Sequence, residues 1–323
     1  MSDATSSPAP EGDSPSIDVV ICAYTEDRWT DLVNAVTSVG KQSSPAQRTI
    51  LVIDHNERLL ERCRDQFRGD GVEVLANAKE QGLSGGRNTG VEAATAEVVA
   101  FLDDDAAADD DWLLHFRHAL RQPGVVGVGG RIEPEWAGGE PTWFPEEFGW
   151  VVGCSYRGMP TTMTPIRNPI GASMAFTAEA IEAGGGFDAG LGRIGTKPVG
   201  CEETELSIRI RRHYGPDAIV YAPDSVVHHH VSAGRGTVKY FLSRGWNEGR
   251  SKAVVASRTG ADEALESERR YVTTTLPTGV LRGLIRPLGG WYRSAMIVAG
   301  LSATGLGYAI GLLRRDRDVV SDS

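Results

Sequence analysis

Short apolar runs recurring at regular spacing along the first 130 residues constrain this chain more than any other feature. Ile17 to Ala23 (IDVVICA) reads as a continuous apolar run, and Thr49 to Ile53, Val72 to Leu75, Glu97 to Leu102 and Val125 to Gly129 have the same character. Strands of that kind are covered on both faces, which is the condition of a parallel sheet. Amphipathic stretches of helical period lie between them, first Leu32, Val33, Val36 and Val39, then Leu59, Leu60, Cys63 and Phe67. Strand and helix in alternation predict an α/β fold, a mixed and mainly parallel sheet with helices on both faces. Ligands of such sheets bind at the carboxyl ends of the strands. Those ends are polar here: Tyr24 to Arg28 after the first strand, Asp54-His55-Asn56 after the second, Asp103-Asp104-Asp105 after the fourth.

With 323 residues, 41% of them hydrophobic, the chain can bury a full-sized core. Its formal net charge of -10 argues against nucleic acid as a partner, because a phosphate backbone needs a basic face. Cys22, Cys63, Cys154 and Cys201 are widely separated and predict reduced thiols without a zinc knuckle or disulfide framework. Residues 1–16 are rich in Ser, Pro and Asp and predict a disordered tail with no signal peptide, so the catalytic part is expected in the cytoplasm.

Three consecutive carboxylates repel one another unless a cation or basic side chains sit among them. Mn2+ or Mg2+, with their preference for oxygen ligands, would meet that need at Asp103 to Asp105 and could neutralise charge on a departing diphosphate. A solvated acidic loop leading into the next helix through Asp109, Asp110 and Asp111 is the alternative. Gly82-Leu83-Ser84-Gly85-Gly86-Arg87-Asn88-Thr89-Gly90 predicts a glycine-rich loop before a helix running towards Ala96. Its backbone would approach an anion, or it is an ordinary tight turn; it is neither a dinucleotide fingerprint nor a P-loop. Gly200 to Leu206 (GCEETEL) puts Glu202 and Glu203 at a helix start, where the positive end of the helix would keep a carboxylate ionised and fit to act as general base. Such glutamates are also common without function. In Val226 to Val231 (VVHHHV), strand geometry sends His228 and His230 to one face and His229 to the other, either as a metal ligand or as a surface cluster.

The order of these pieces, CAYTEDR, GLSGGRNTG, FLDDDA, GGFD at Gly185 to Asp188, CEETEL and VVHHHV, resembles the inverting glycosyltransferases of family 2 over roughly Ile17 to Ala253. The resemblance implies a GT-A-type domain over 17–235 and transfer of a sugar from a nucleotide-diphosphate donor, a UDP-sugar by preference, to an acceptor hydroxyl. It implies a donor-binding set of Ala23, Tyr24, Glu26, Asp54, Arg87, Asn88, Asp103 and Asp104. Within that set Tyr24 lies against the base, Arg87 near base and phosphates, Asp104 at the ribose, and Asp103 orients the turn. Asp105 would hold the metal with His229 beside it, and Glu203 occupies the general-base position with Glu202 in reserve. Two positions depart from the family pattern: Asp54 is followed by His55 where a second aspartate is common, and Glu203 stands where aspartate is frequent. Rival readings are a sugar nucleotidyltransferase, which would need a lysine-bearing glycine loop after the first strand, and a catalytically silent, membrane-attached protein of the same fold.

Past Thr237 the sequence turns helical, and 236–275 is expected to be a helical extension and linker, with Gly260 to Glu268 as its polar part. Residues 276–315 are expected to form apolar and amphipathic helices. Ser294 to Leu313 is uncharged and flanked by arginines, long enough to cross a bilayer. Ala299, Ala303, Gly307 and Gly311 have the spacing of a close helix contact in lipid. Arginines on both sides leave a span and an in-plane helix equally open. Leu276 to Leu288, with Arg282 and Arg286, could lie at the lipid surface. The expected location is the cytoplasmic side of the cell membrane, with a lipid-linked or envelope glycan as acceptor. The loops from Trp136 to Arg167 are expected to choose sugar and acceptor.

Overall fold

The computed structural model describes residues 14–190, 200–260, 265–285 and 290–321. Most of the predicted amino-terminal tail, part of the polar linker and Arg286 lie outside these residues.

Among the described residues, nine strands form one sheet in the order β3-β2-β1-β4-β8-β6-β9-β5, with β7 (Thr164–Pro165) pairing β9 (Ile219–Val231). β1 (Ile17–Ala23) runs parallel to both β2 (Arg48–Ile53) and β4 (Val98–Asp103), and β3 (Val72–Ala76) extends that parallel half beyond β2. Because period-two geometry sends neighbouring residues to opposite faces, Ile17, Val19 and Ile21 enter one core layer and Val20 enters the other. The first layer takes the apolar stripes of α1 (Trp29–Gly40), α2 (Glu57–Gln66) and α4 (Trp112–Leu120). This double burial is why the first run carries no polar alternation.

α3 (Leu83–Ala93) corrects the expected glycine-rich loop. The helix starts at Leu83, so Gly85, Gly86 and Gly90 lie inside it. A Cβ on Gly90 would meet Val20 at 2.4 Å, and one on Gly85 would meet the Glu80 carbonyl oxygen at 1.9 Å. The glycines let the helix lie against β1 and its own entry turn.

The second half of the sheet is mixed. β8 (Ser173–Thr177) is antiparallel to β4 and to β6 (Gly127–Trp136), while β6 and β9 are parallel. β6 starts two residues later than the apolar run at Val125 and runs on to Trp136, where it pairs with Val231, so the region expected as loops from Trp136 to Arg167 begins at the end of a strand. Glu146–Val152 within that stretch is a 3-10 helix. Its Phe148 joins Phe144, Trp143 and Phe241 in an aromatic cluster under the site.

The three-residue β5 (Ala106–Ala108) is antiparallel to β9 and places Ala106 opposite His229. α5 (Ala178–Gly184) and α6 (Glu202–Tyr214) cover the second core layer. The long α7 (Val238–Thr259) is followed by helical turns over 266–275, by α8 (Leu276–Ile285) and by α9 (Gly290–Ser321).

α9 packs along α7, and Gly307 and Gly311, whose spacing suggests a close helix contact in lipid, are part of that packing. A Cβ on Gly307 would lie 2.1 Å from the Trp246 carbonyl oxygen, and one on Gly311 would lie 2.7 Å from the Ala253 Cβ. Small side chains let two backbones approach closely, here within one chain.

Candidate functional site

The carboxyl ends of β1, β2 and β4 open into a cavity of about 1350 Å³, bounded on the other side by α6, α7 and the carboxyl-terminal helices. Ligand pockets typically have roughly 300 to 1,000 Å³, so this one has room for two reactants.

The acidic turn forms its floor. Asp104 and Asp105 are buried, and Asp103 is half-buried. The β5–β9 ladder, with the His230 amide donating to the Asp105 carbonyl oxygen at 2.8 Å, brings His229 to the turn from over a hundred residues away. His229 Nε2 lies 3.1 Å from Asp105 Oδ1, and its Nδ1 lies 3.8 Å from Cys154 Sγ. Arg28 Nη1 donates to Asp104 Oδ1 at 2.7 Å and to Asp105 Oδ2 at 2.8 Å, and Arg235 Nη2 approaches Asp105 Oδ2 at 3.3 Å.

These contacts pull the two carboxyls apart. Burial pushes Asp104 up to about 8, with Arg28 opposing and the Asp105 and Asp103 charges adding to the rise. Burial acts on Asp105 in the same sense, but His229, by charge and hydrogen bond, together with Arg235 and Arg28, holds it well below the usual carboxylate range. His229 resists its own burial through Asp105 and is raised to about 10. One Asp104 oxygen, Oδ2, is buried with no hydrogen-bond partner among the described residues.

Asp103, Asp105 and His229 each offer a ligand atom within 4.8 Å of the others. Two carboxylates and an imidazole form a donor set suited to manganese or magnesium. Binding there would expel the His229 proton. Asp104 is outside this trio.

Arg87 ties the turn to α6. It is 2% exposed, and its Nη1 donates to Glu202 Oε1 at 2.9 Å while Nη2 approaches Asp103 Oδ1 at 3.5 Å and donates to the Gly171 carbonyl oxygen at 3.1 Å. Glu202 and Glu203 open α6 behind Cys201, which adopts a left-handed φ of 73°. Glu202 is consumed by the buried ion pair. Glu203 is half-buried, and burial followed by the Glu202 charge pushes its pKa up to about 8, with Arg87 opposing. The expectation that the helix start alone keeps Glu203 ionised is therefore corrected: loss of solvent and a like charge outweigh the helix terminus.

Ala23, Tyr24 and Asp54 line the cavity with these residues, whereas Glu26 and Asn88 do not. Tyr24 is 36% exposed and carries the Arg28 guanidinium 5.0 Å from its ring. Asp54 accepts from Asn77 Nδ2 at 2.7 Å and from the Gly82 amide at 3.0 Å, fixing the start of α3. Glu26 faces Arg58 and Arg62 outside the cavity. Asn88 donates to the Phe187 carbonyl oxygen at 2.8 Å and accepts from the Phe187 amide at 2.9 Å, so it pins the GGFD segment. His228 and His230 bind Asp109 and Asp31, each at 2.9 Å.

Deeper in the cavity is a charge chain that the sequence did not reveal. Arg244 pairs with Glu248 at 2.9 Å, Glu248 with Lys252 at 3.6 Å, Lys252 with Glu268, and Glu268 with Arg167 at 2.6 Å. The i, i+4, i+8 spacing of Arg244, Glu248 and Lys252 on α7 was a usable signal; the partners at 167 and 268 were not.

The family described as Glycosyl transferase family 2 matches residues 18–185. The chain belongs to this family. A glucosyl-dolichyl phosphate glucuronosyltransferase of Haloferax volcanii is 31% identical over 304 residues, covering 92% of this chain and 96% of that protein. A succinoglycan biosynthesis protein of Rhizobium meliloti is 23% identical over 73% of each chain. Among solved structures, a mannosyltransferase of Pyrobaculum calidifontis in complex with GDP-Man and Mn2+ superposes with a TM-score of 0.57 at 16% identity, covering 91% of this chain and 88% of that one. A GalNAc-transferase with UDP, GalNAc and Mn2+ gives 0.56 at 16% identity, covering 82% and 58%. These two likenesses establish the GT-A fold.

Proposed function

We propose that this glycosyltransferase moves a sugar from a nucleotide-diphosphate donor, by preference a UDP-sugar, to a hydroxyl of a lipid-linked glycan with inversion at the anomeric carbon. The reading rests on one observation: Arg87 is ion-paired with both Asp103 and Glu202, which gathers the acidic turn and the α6 carboxylates into a single cavity.

Each group then has a task. Tyr24 offers a face for the base, and Asp104 Oδ2, with no hydrogen-bond partner among the described residues, is left to hydrogen-bond a ribose hydroxyl. Asp103, Asp105 and His229 would hold a divalent ion, which supplies Lewis-acid stabilisation of the charge gathering on the leaving diphosphate. Ionised Glu203 takes the proton of the acceptor hydroxyl as its oxygen bonds to the anomeric carbon and the bond to the diphosphate breaks. Glu202, held by Arg87, keeps that base high in pKa and in place. The Haloferax volcanii relative is named for action on a dolichyl phosphate-linked sugar and matches nearly the whole chain, which supports a polyprenyl phosphate-linked acceptor and a place at a membrane.

Thermal shift across a panel of nucleotide sugars with manganese identifies the donor, because binding to the folded state raises its stability. Donor turnover should be lost in Asp105→Asn and in Glu203→Gln, with donor binding kept only in the latter. A catalytically silent protein would release no nucleotide, and a nucleotidyltransferase would consume a nucleoside triphosphate.

A further inference from the structure

α9 presents two faces of opposite kinds. Its inner face is clamped to the catalytic domain: Gly300 is seated against Phe148 and Phe241, while a Cβ on Gly249 of α7 would lie 2.0 Å from the Thr304 carbonyl oxygen and 2.6 Å from the Tyr308 amide. Gly307 and Gly311 continue the contact along α7 to Ala253. Its outer face is apolar and open: Trp291, Val298, Leu306 and Leu313 are 65%, 54%, 59% and 64% exposed, and no charged residue occurs from Ser294 to Leu313. A helix on the surface of a soluble domain is polar on its outer face, so this face is built for another apolar surface. α8 adds Leu281, Leu284 and Ile285 at 63%, 61% and 81% exposure.

α7 determines how such a helix can meet a bilayer. It carries Lys239, Arg244, Glu248, Arg250, Lys252 and Arg258, and α9 is joined to it along the length that a span would need. Carrying those charges into hydrocarbon is prohibitive, and releasing α9 would strip the domain of its packing. A helix with one face clamped to a charged domain and the other uncharged fits the plane of one leaflet. The same helix borders the reaction cavity, for Leu301, Gly305 and Tyr308 line it together with Glu203.

We infer that α8 and α9 form an in-plane docking surface for one leaflet of a phospholipid bilayer, from which the apolar part of an amphiphilic acceptor enters the cavity past Leu301 and Tyr308. The acceptor route rests on the proposed transferase function; the docking surface does not.

The full chain is floated with phosphatidylcholine vesicles, with and without phosphatidylglycerol. Binding is expected to fall about tenfold or more in the triple variant Leu284→Glu, Ile285→Glu, Leu306→Glu, all exposed positions away from the cavity. Donor hydrolysis in detergent-free buffer should be unchanged in that variant. Trp291→Cys and Leu313→Cys, both on the lipid-facing side, are then treated with a membrane-impermeant thiol reagent, and both are expected to react in vesicle-free solution and to be protected together on vesicles. Undiminished flotation of the triple variant, or protection of one end only, would overturn the docking geometry. So would a wild-type dimer in vesicle-free solution that the triple variant converts to a monomer, because a second copy would then be the occupant. Loss of donor hydrolysis in the wild type would overturn the transferase reading and leave the vesicle results standing.

Discussion

Glu203 gives the sharpest prediction because its environment and its proposed role make opposite demands at neutral pH. A general base must be ionised, yet burial and the neighbouring Glu202 charge raise its pKa to about 8. At that value roughly one-tenth of the enzyme is competent at pH 7 and about half at pH 8, so the rate of the chemical step should rise about fivefold over that unit. An unperturbed glutamate would give a flat profile there. Single-turnover measurements with the cognate donor and acceptor isolate the step from product release. Glu203→Gln should lower that rate by about a hundredfold or more, the usual scale for a general base, with donor affinity nearly unchanged. Glu202→Gln should move the rise to lower pH, since it removes the like charge and leaves the Arg87 cation facing Glu203. A flat profile in the wild type between pH 6 and pH 9, or near-normal single-turnover rates in Glu203→Gln, would refute the assignment.

Asp105→Asn should abolish the extra thermal stabilisation that manganese gives to a donor-bound sample while leaving the unliganded melting temperature within a few degrees, as read by differential scanning fluorimetry. Glu268 is pressed down to about 2 by Lys252 and Arg167 against its own burial. A carboxyl depressed in the folded state contributes stability above its unfolded pKa and loses it as pH falls through the folded one, so about 3 kcal/mol should vanish between pH 4.5 and pH 2 in acid unfolding. Glu268→Gln should flatten that window. Gly249→Val drives a branched side chain into the α9 backbone, a cost of about 1 to 3 kcal/mol or more; urea unfolding should show it, and limited proteolysis should cut α9 before the sheet. Asn88→Ala frees the Phe187 backbone, whose ring carries the Arg87 guanidinium at 5.4 Å, and should lower transfer through misplaced Arg87, with no change in metal response.

The parallel half of the sheet was legible because burial on both faces leaves strands with no polar alternation, and the switch to helical period marks each crossover. The mixed half was not. β5 is three alanines, and its existence depends on β9, a partner more than a hundred residues away, so no local pattern announces it. The acidic turn, Glu202, Glu203 and His229 were visible as residue types in order, and the cavity does collect them. Arg28 and Arg235 were overlooked as members of the site, since an arginine in a short 3-10 turn carries no local sign that it will face a carboxylate. The glycines of α3 were misread, whereas Gly307 and Gly311 of α9 do make the close helix contact their spacing suggests, within one chain. The absence of a Cβ serves a backbone nearing an anion and a backbone packed against its neighbours alike, and α3 uses it for packing.

The acidic turn also shows why charge counting alone was a weak reason to expect a metal. Asp103, Asp104 and Asp105 are already faced by Arg87, Arg28, Arg235 and His229, so their mutual repulsion is answered within the protein. What favours an ion is arrangement: two carboxylates and an imidazole whose ligand atoms lie within 4.8 Å of one another, on a floor where Asp104 keeps one buried oxygen unpaired. Arg28 bridges Asp104 and Asp105 through two short contacts, so Arg28 and a metal would draw on the same Asp105 carboxylate. Arg28→Gln should accordingly tighten manganese binding measured without nucleotide while weakening the folded state at low metal, and looser manganese binding in that variant would mean that Arg28 supports the ion site instead of competing with it.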